Sequence, residues 1–145
     1  MQQREIPDNA PDGARARVSE APSVLVVDDD RDIRESLAEI LQHAGYRVDT
    51  AGSGREALER LGSDPGYGAV LSDIRMPGMS GMEFYRRLRE LRPDLAGRFI
   101  VVTSDHLNGE VMAFLDETRV PFIEKPFLPS EVKRRVAETT GRGGS

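Results

Sequence analysis

Charged or hydroxyl-bearing side chains stand at the ends of four short apolar runs in this sequence. The set comprises Asp28 and Asp29 after residues 24–27, Asp73 after residues 69–72, Thr103 after residues 99–102, and Lys125 after residues 122–124. Carboxylate oxygens are the ligands that hard divalent cations take, and an ammonium group or a hydroxyl can contact a phosphoryl oxygen. If the chain brings these groups together, the site can hold a divalent cation and accept a phosphoryl group.

The apolar runs are predicted to be strands of one sheet. Five strand-like segments, each followed by a segment with helical periodicity, begin near Val24, Arg47, Ala69, Arg98 and Phe122. This alternation predicts an α/β domain with a parallel sheet covered on both faces. In doubly wound sheets, ligands bind beyond the carboxyl ends of the strands where the strand order reverses. With the order 2-1-3-4-5 that point lies between the first and third strands, which end at the three aspartates.

Local signals place the helices between these strands. Apolar residues within 33–44 recur at helical spacing and predict the first helix. Ser53 and Ser80 each precede a glutamate by three residues, and these capping boxes predict the starts of the second and third helices. The fourth and fifth helices, predicted at residues 109–118 and 129–139, are thinly apolar, so their outer faces are expected to be exposed.

Four segments in this order resemble the motifs of the receiver domains of two-component response regulators. They are residues 24–30 (VLVVDDD), 71–81 (LSDIRMPGMSG), 101–104 (VVTS) and 122–127 (FIEKPF). The resemblance extends from Val24 to about Glu138. It implies a flavodoxin-like (βα)5 receiver fold, whose five-stranded parallel sheet is doubly wound in the order 2-1-3-4-5.

The resemblance also implies a role for each site residue. Asp73 would be the carboxylate that is phosphorylated. Asp29 and Asp73 would bind Mg²⁺ directly, together with the backbone carbonyl of Arg75, while Asp28 would support the metal largely through water. The chemistry agrees, because clustered carboxylates repel one another and a dication relieves that repulsion while keeping them ionised. Lys125 would supply a second positive charge to the phosphoryl oxygens.

Thr103 and Phe122 are the predicted switch residues. The Thr103 hydroxyl can donate a hydrogen bond to a phosphoryl oxygen, so it is expected to move when that group arrives. In the family, an aromatic residue three positions before the lysine turns inward behind this hydroxyl. Here that residue is Phe122, which has no hydroxyl to bond in the inward state. The resemblance further implies a cis peptide bond between Lys125 and Pro126.

Two further features near the motifs carry expectations. Ser72 stands before Asp73 where a larger apolar residue is frequent in the family, so we expect looser packing beneath the acceptor. Arg75 and Asp105 lie two residues beyond the acceptor and the threonine, respectively. We expect them to pair across the site, to gate hydrolytic water and so to set the lifetime of the phosphorylated state.

The implied function is a phosphoryl-accepting switch in two-component signal transduction. The donor would be a phosphohistidine on a histidine kinase or a histidine phosphotransfer protein. A downstream partner would bind the surface formed by the fourth helix, the fifth strand and the fifth helix. Slow self-hydrolysis of the acyl phosphate would reset the switch, so no turnover enzyme is expected. The choice between a monomer and a homodimer stays open.

Alternatives to this interpretation differ in class. The chain could be a stand-alone regulator, a phosphorelay shuttle, or the receiver of a hybrid sensor kinase. A haloacid-dehalogenase-type phosphohydrolase also uses a strand-end Asp-x-Asp, a threonine and a lysine. Against it, Asp32 occupies the place where that motif wants Thr or Val, no acidic pair follows Lys125, and the chain lacks the length for a cap. A binding module that is never phosphorylated has no reason to gather these charges.

Composition limits the remaining classes. The 145 residues fit one domain, expected at residues 23–139 between a flexible lead (1–22) and a flexible tail (140–145). The sequence has no cysteine, which suits a reducing cytoplasm. Its net charge of -5 disfavours nucleic-acid binding, and no apolar stretch approaches the roughly 18 residues of a membrane span. The histidines, His43 and His106, show no ligand spacing and are interpreted as ordinary surface or helix residues.

Overall fold

The computed structural model describes residues 22–63 and 66–141, and within them five strands form a parallel sheet in the order β2-β1-β3-β4-β5. The strands are β1 (Ser23–Val27), β2 (Arg47–Ala51), β3 (Ala69–Ser72), β4 (Phe99–Thr103) and β5 (Phe122–Glu124). The main helices are α1 (Arg31–His43), α2 (Gly54–Ser63), α3 (Gly81–Leu91), α4 (Gly109–Thr118) and α5 (Pro129–Thr140). The predicted α/β fold and its strand order are confirmed.

The strands point their side chains alternately into two hydrophobic cores, one on each face of the sheet. In β1, Leu25 and Val27 pack into the core beneath α2, α3 and α4, whereas Val24 and Val26 pack into the core beneath α1 and α5. All four are at most 1% exposed. Burial on both faces explains why this strand is a continuous apolar run. The polar residues around β1 are therefore confined to its ends.

Asp30 fixes the start of α1 beside the site. Its side chain accepts hydrogen bonds from the backbone N–H groups of Asp32 at 2.9 Å and Ile33 at 3.2 Å. These donors have no partner within the helix, so the cap satisfies them. Oδ1 of Asp30 accepts both bonds, so this side chain faces the start of α1.

The two predicted capping boxes form only in part. Ser53 and Ser80 each accept a hydrogen bond, at 3.1 Å, from the N–H group three residues ahead. The return bonds differ from the prediction, because Glu56 accepts from the N–H of Gly52 at 2.9 Å and Glu83 forms an ion pair further along α3. The start of α3 therefore depends on Ser80 and on close backbone packing at the site.

The element boundaries differ slightly from those expected. The fourth strand begins at Phe99 instead of Arg98, and α5 extends to Thr140, one residue beyond the prediction. A one-turn helix at Pro93–Ala96 was not predicted, because four residues are too few to show helical periodicity. The expected flexible lead and tail lie outside the described residues, apart from residues 22, 140 and 141. None of the helices described is both long and apolar enough to cross a membrane.

The first and last parts of the described domain meet at Gly68. Its N–H donates to the carbonyl of Ser23 at 2.7 Å. A Cβ at this position would lie 3.2 Å from Cβ of Pro22 and 3.1 Å from Cγ2 of Thr140. Gly68 precedes β3, at the edge of the sheet opposite the strand ends that carry the polar residues.

Candidate functional site

The carboxyl ends of four strands bring the predicted site residues together. Asp28 follows β1, Asp73 follows β3, Thr103 ends β4 and Lys125 follows β5. Asp28 and Thr103 are each 1% exposed and Asp73 is 8% exposed, whereas Asp29 is exposed. One carboxylate oxygen from each of Asp28, Asp29 and Asp73 lies within 4.8 Å of the other two. The side chains gather because parallel strands end at the same edge of the sheet.

The Lys125 ammonium lies between two buried carboxylates. Its Nζ is 3.1 Å from Oδ2 of Asp28 and 3.3 Å from Oδ2 of Asp73. The other oxygen of each acid is held by the backbone, since Asp28 Oδ1 accepts from the N–H of Asp30 at 2.9 Å and Asp73 Oδ1 accepts from that of Ile74 at 2.7 Å. Both carboxylates are thus fixed in orientation.

The site contains more negative than positive charge. Burial raises the pKa of Asp73 above its ordinary value; Lys125 opposes this rise and the Asp28 carboxylate adds to it. Burial by itself lowers the pKa of Lys125, but the attraction of Asp73 and Asp28 outweighs burial, so this pKa is also raised. At neutral pH Lys125 is therefore charged. Its single positive charge does not fully offset the burial of the Asp73 carboxylate and the repulsion from Asp28. A divalent cation can supply further positive charge.

Replacing the Asp73 carboxylate by an amide should stabilise the metal-free domain at neutral pH. Because the folded state holds this proton more tightly than the unfolded chain, stability falls as the pH rises from the ordinary pKa through the raised one. We expect Asp73→Asn to raise the thermal midpoint at pH 7 in EDTA by roughly 3 °C, and by less near pH 3. Asp94→Asn is the control. The pKa of Asp94 is lowered by its hydrogen bond with Arg92, so the amide should not raise the thermal midpoint at pH 7. A lower midpoint for Asp73→Asn at pH 7 would contradict the expectation.

The backbone beneath Asp73 is closely packed. The N–H of Gly81 donates to the carbonyl of Ile74 at 2.8 Å, and a Cβ at position 81 would lie 2.1 Å from the Asp73 carbonyl oxygen. Ser72 is 1% exposed, and its hydroxyl donates to that same carbonyl at 2.9 Å. The expected loose packing beneath the acceptor is therefore wrong, because the buried hydroxyl is satisfied by the adjacent backbone.

Thr103 is tied to the loop that follows it. Its Oγ1 accepts from the N–H of Asp105 at 2.9 Å, and its carbonyl accepts from the N–H of Lys125 at 2.9 Å. The Asp105 carboxylate forms an ion pair with the guanidinium of Arg75, so the predicted pairing of these two residues is confirmed. The Arg75–Asp105 pair thus connects the loop after β3 to the loop after β4.

Two contacts at the site were not predicted. The Arg34 guanidinium in α1 donates to the backbone carbonyl of Asp28 at 2.8 Å and so braces the loop after β1. His106 was interpreted as an ordinary surface residue, but its ring stacks on Phe122 with centroids 5.7 Å apart. That interpretation is wrong, because the loop after β4 folds over the start of β5. The predicted cis bond between Lys125 and Pro126 is confirmed.

The chain is similar to a known protein family over most of its length. Residues 24–137 match the family model described as the response regulator receiver domain. The chain belongs to this family. The match covers the sheet from the second residue of β1 onwards and each of the residues gathered at the strand ends, so the receiver domain and the site lie in the same segment.

Similar proteins are known by name and by structure. The receiver domain is 41% identical over 110 residues to the C4-dicarboxylate transport transcriptional regulatory protein DctD of Rhizobium meliloti (strain 1021), covering 76% of this chain and 23% of DctD. Chemotaxis protein CheY4 of Vibrio cholerae is 29% identical with a TM-score of 0.73, covering 81% of this chain and 98% of CheY4. Response regulator TrrA of Thermotoga maritima, solved in complex with Mg²⁺-BeF, is 35% identical with a TM-score of 0.70 and the same coverages.

These similarities confirm the predicted family. The chain is a response regulator receiver domain of the two-component signal transduction class, with the fold of the chemotaxis regulators. They favour neither the hybrid sensor kinase nor the haloacid dehalogenase alternative. The chain spans less than a quarter of the length of DctD, 23%.

Proposed function

We propose that the receiver domain accepts a phosphoryl group on Asp73 and thereby changes the surface formed by α4, β5 and α5. The observation that carries this proposal is the Lys125 ammonium held 3.1 Å from Asp28 and 3.3 Å from Asp73, beside the third carboxylate, Asp29. A structural ion pair needs one acid. Two acids paired with one ammonium, with a third acid beside them, combine a cation site with a charge that can hold a phosphoryl oxygen.

A phosphohistidine on a histidine kinase or a histidine phosphotransfer protein is the proposed donor. A carboxylate oxygen of Asp73 attacks the phosphorus, a new O–P bond forms while the P–N bond breaks, and the imidazole nitrogen leaves with the electron pair. Asp73 must be ionised for this attack. The hydrogen bond from the N–H of Ile74 to Oδ1 holds the carboxylate in one orientation, which reduces the freedom lost on reaching the transition state.

The acidic cluster fits Mg²⁺, a cation that takes oxygen ligands. Asp29 and Asp73 would hold it through their carboxylates, and Arg75 through its backbone carbonyl. Asp28, whose oxygens accept a backbone hydrogen bond and contact Lys125, would act largely through water, as the resemblance to the family implies. When bound, the ion would supply positive charge to the equatorial phosphoryl oxygens. The raised pKa of Asp73, caused mainly by burial, supports a need for that charge.

Two protein groups would complete the charge balance around the phosphoryl group. Lys125 would move from its two carboxylates towards a phosphoryl oxygen, where a single ammonium suits a single oxygen. Thr103 would donate its hydroxyl to another oxygen. Both side chains are buried or nearly so, at 1% exposure for Thr103 and 16% for the Lys125 side chain. Their charges and dipoles are therefore less screened than they would be in water.

The change would reach a downstream partner through the α4-β5-α5 surface. Phosphorylation adds about two negative charges and three acceptor oxygens, and a near-complete reversal of a two-state equilibrium needs about 5.5 kcal/mol of differential binding. Phe122 pairs in register with Val101, two residues before Thr103. The switch ring thus lies on the strand beside the one that carries the phosphoryl-sensing hydroxyl.

The remaining assignments are part of the same proposal. Residues 23–139 would form the receiver domain. Slow hydrolysis of the acyl phosphate would reset the switch, without turnover catalysis. The exchange is assigned to the cytoplasm, because a chain without cysteine suits a reducing compartment. Partners would be proteins, with no direct contact to nucleic acid or membrane, and a homodimer is compatible with this scheme.

The proposal is tested by intact-mass measurement after incubation with acetyl phosphate. We expect wild type to gain one phosphoryl group in the presence of Mg²⁺ and none in EDTA, because the clustered acids need the cation. Asp73→Asn should gain none under either condition, while Asp94→Asn, which changes an exposed aspartate in the one-turn helix after α3, should behave as wild type. If Asp73→Asn gained one phosphoryl group as wild type does, Asp73 would be rejected as the acceptor.

Arg75→Ala should shorten the lifetime of the phosphorylated state. The Arg75–Asp105 pair spans the loops on either side of the site, and its removal opens a path for water. Both side chains are partly exposed, at 62% and 36%, so the effect should be modest, roughly two- to fivefold faster dephosphorylation. Arg87→Ala, which breaks an exposed ion pair with Glu83 on α3, is the control. An unchanged decay rate for Arg75→Ala would reject the gating role.

A further inference from the structure

His106 packs directly on the proposed switch residue. The imidazole and the Phe122 ring are stacked, with 5.7 Å between centroids and 21° between planes. His106 lies in the loop between β4 and α4, and Phe122 is the first residue of β5. Phe122 is only partly buried against the core beneath α2, α3 and α4. The stack is therefore a contact between a loop and the ring whose position the switch would change.

The two nitrogens of the His106 imidazole have different environments. Its Nε2 lies 3.7 Å from Oε2 of Glu124. Phe122 and Glu124 are two residues apart in β5, so their side chains lie on the same face of the strand. One imidazole can therefore contact both. Its Nδ1 is buried and has no hydrogen-bond partner among the described residues. Since an unsatisfied buried nitrogen costs free energy, packing holds the stack closed while Nδ1 favours opening.

The loop that carries His106 is anchored at the phosphoryl site. The preceding residue, Asp105, donates its N–H to Oγ1 of Thr103 at 2.9 Å and pairs through its carboxylate with Arg75. If the Thr103 side chain moves towards a phosphoryl oxygen, its hydrogen bond with the Asp105 N–H either breaks or draws Asp105 along with it. Movement at the site therefore reaches His106 through a single peptide unit.

We propose that His106 is a latch that holds Phe122 in the position it occupies in the unphosphorylated domain. Phosphorylation would open the stack through Thr103 and Asp105, after which Phe122 turns inward and Nδ1 of His106 regains contact with water. This inference rests on the proposed function and names how its switch is held. A ring stack is a suitable holding contact because Phe122 has no hydroxyl that could form a hydrogen bond instead.

The latch borders the proposed output surface. His106 and Phe122 line an open groove together with Leu107, Met112 and Leu115. Leu107 is 75% exposed and Met112 is 50% exposed, so the groove offers apolar contact area. Opening of the stack would change the wall of this groove and hence the surface that a downstream protein meets.

The first test measures the apparent affinity of the full chain for beryllofluoride, a stable mimic of the phosphoryl group, in the presence of Mg²⁺. Because the latch stabilises only the inactive state, His106→Ala should bind about two- to tenfold more tightly than wild type, the range expected for one aromatic stack. His106→Phe keeps a ring on Phe122 and should stay near the wild-type value. Leu107→Ala, in the same loop but outside the stack, should also match wild type.

Two further measurements separate a latch from ordinary packing. In a Phe122→Leu background, His106→Ala should have no additional effect, because the latch acts through that ring. In chains labelled with fluorophenylalanine, the solvent isotope shift reports the exposure of the Phe122 fluorine. His106→Ala should reduce this exposure in the free domain, towards the value that wild type reaches with beryllofluoride.

The outcomes are distinct. Unchanged or weaker beryllofluoride binding by His106→Ala, or a Phe122 ring that becomes more exposed, would mean that His106 only covers the ring, and the latch would be rejected. Failure of the proposed function has another signature, in which wild type itself binds no beryllofluoride and gains no phosphoryl group. The latch would then be rejected together with the phosphorylation that opens it.

Discussion

Gly81→Ala is expected to destabilise the domain by about 3 kcal/mol and to prevent phosphorylation of Asp73, although it adds a single methyl group. Gly81 is the first residue of α3 and packs on the end of β3. A Cβ at this position would lie 2.1 Å from the Asp73 carbonyl oxygen and 3.0 Å from Cα of Ile74. Both neighbours are backbone atoms, so no change of rotamer can make room. Either α3 or the loop that carries the acceptor must move.

Gly109 provides a matched control for this substitution. It is also the first residue of a helix that follows an N-cap, in this case Asn108, but an added Cβ would have no neighbour within 4 Å. Gly109→Ala should therefore change stability by less than about 0.5 kcal/mol, or stabilise slightly through the unfolded chain, and should be phosphorylated normally. Denaturant unfolding and intact mass measure the two effects. A wild-type midpoint for Gly81→Ala would show that the backbone approach is looser than described.

Lys125→Met is expected to destabilise the metal-free domain by about 2–3 kcal/mol, because it leaves two buried carboxylates without their cation. Asp28 and Asp73 each lose an ammonium neighbour, at 3.1 and 3.3 Å, and their mutual repulsion is no longer offset. Phosphorylation should also slow by about a hundredfold or more, the usual cost of removing one electrostatic group from a charge-stabilising site. Mg²⁺ should restore part of the stability, because the proposed cation site uses the same acids.

The sequence contains one other lysine, Lys133 in α5, which is exposed and serves as the control. Lys133→Met should match wild type in both stability and phosphorylation. The raised pKa of Lys125, in which Asp73 and Asp28 outweigh burial, means that its contribution is complete at neutral pH. That contribution is lost only as the pH rises above the ordinary lysine range through the raised value. Equal unfolding midpoints for the two variants at pH 7 would contradict a stabilising role for Lys125.

The convergence of the site could be predicted from the sequence because it depends on chain order and strand direction. Asp28, Asp73, Thr103 and Lys125 each stand at the end of a short strand-like run, and a parallel sheet brings such ends to one edge. The pairing of Arg75 with Asp105 followed from the same logic, since each lies two residues beyond a strand-end group. No side-chain detail was needed for these expectations.

The contacts that were missed depend on distances between elements. The sequence around Gly81 indicates a helix start, but only the assembled domain shows a Cβ position 2.1 Å from a carbonyl oxygen. His106 lies in a loop without periodicity, so its stack on Phe122 could not be inferred from spacing. Arg34 lies on the first helix outside its apolar stripe, and its hydrogen bond to the Asp28 carbonyl depends on the bend between β1 and α1.

The meeting of Pro22 and Thr140 at Gly68 has a consequence for protein engineering. A domain whose two ends lie side by side can be inserted into a surface loop of a host without forcing the host's own ends apart. It also tolerates circular permutation, in which a short linker joins residue 140 to residue 22 and new termini open in an exposed loop. The junction of the two ends would lie at the edge opposite Asp73, away from the clustered acids.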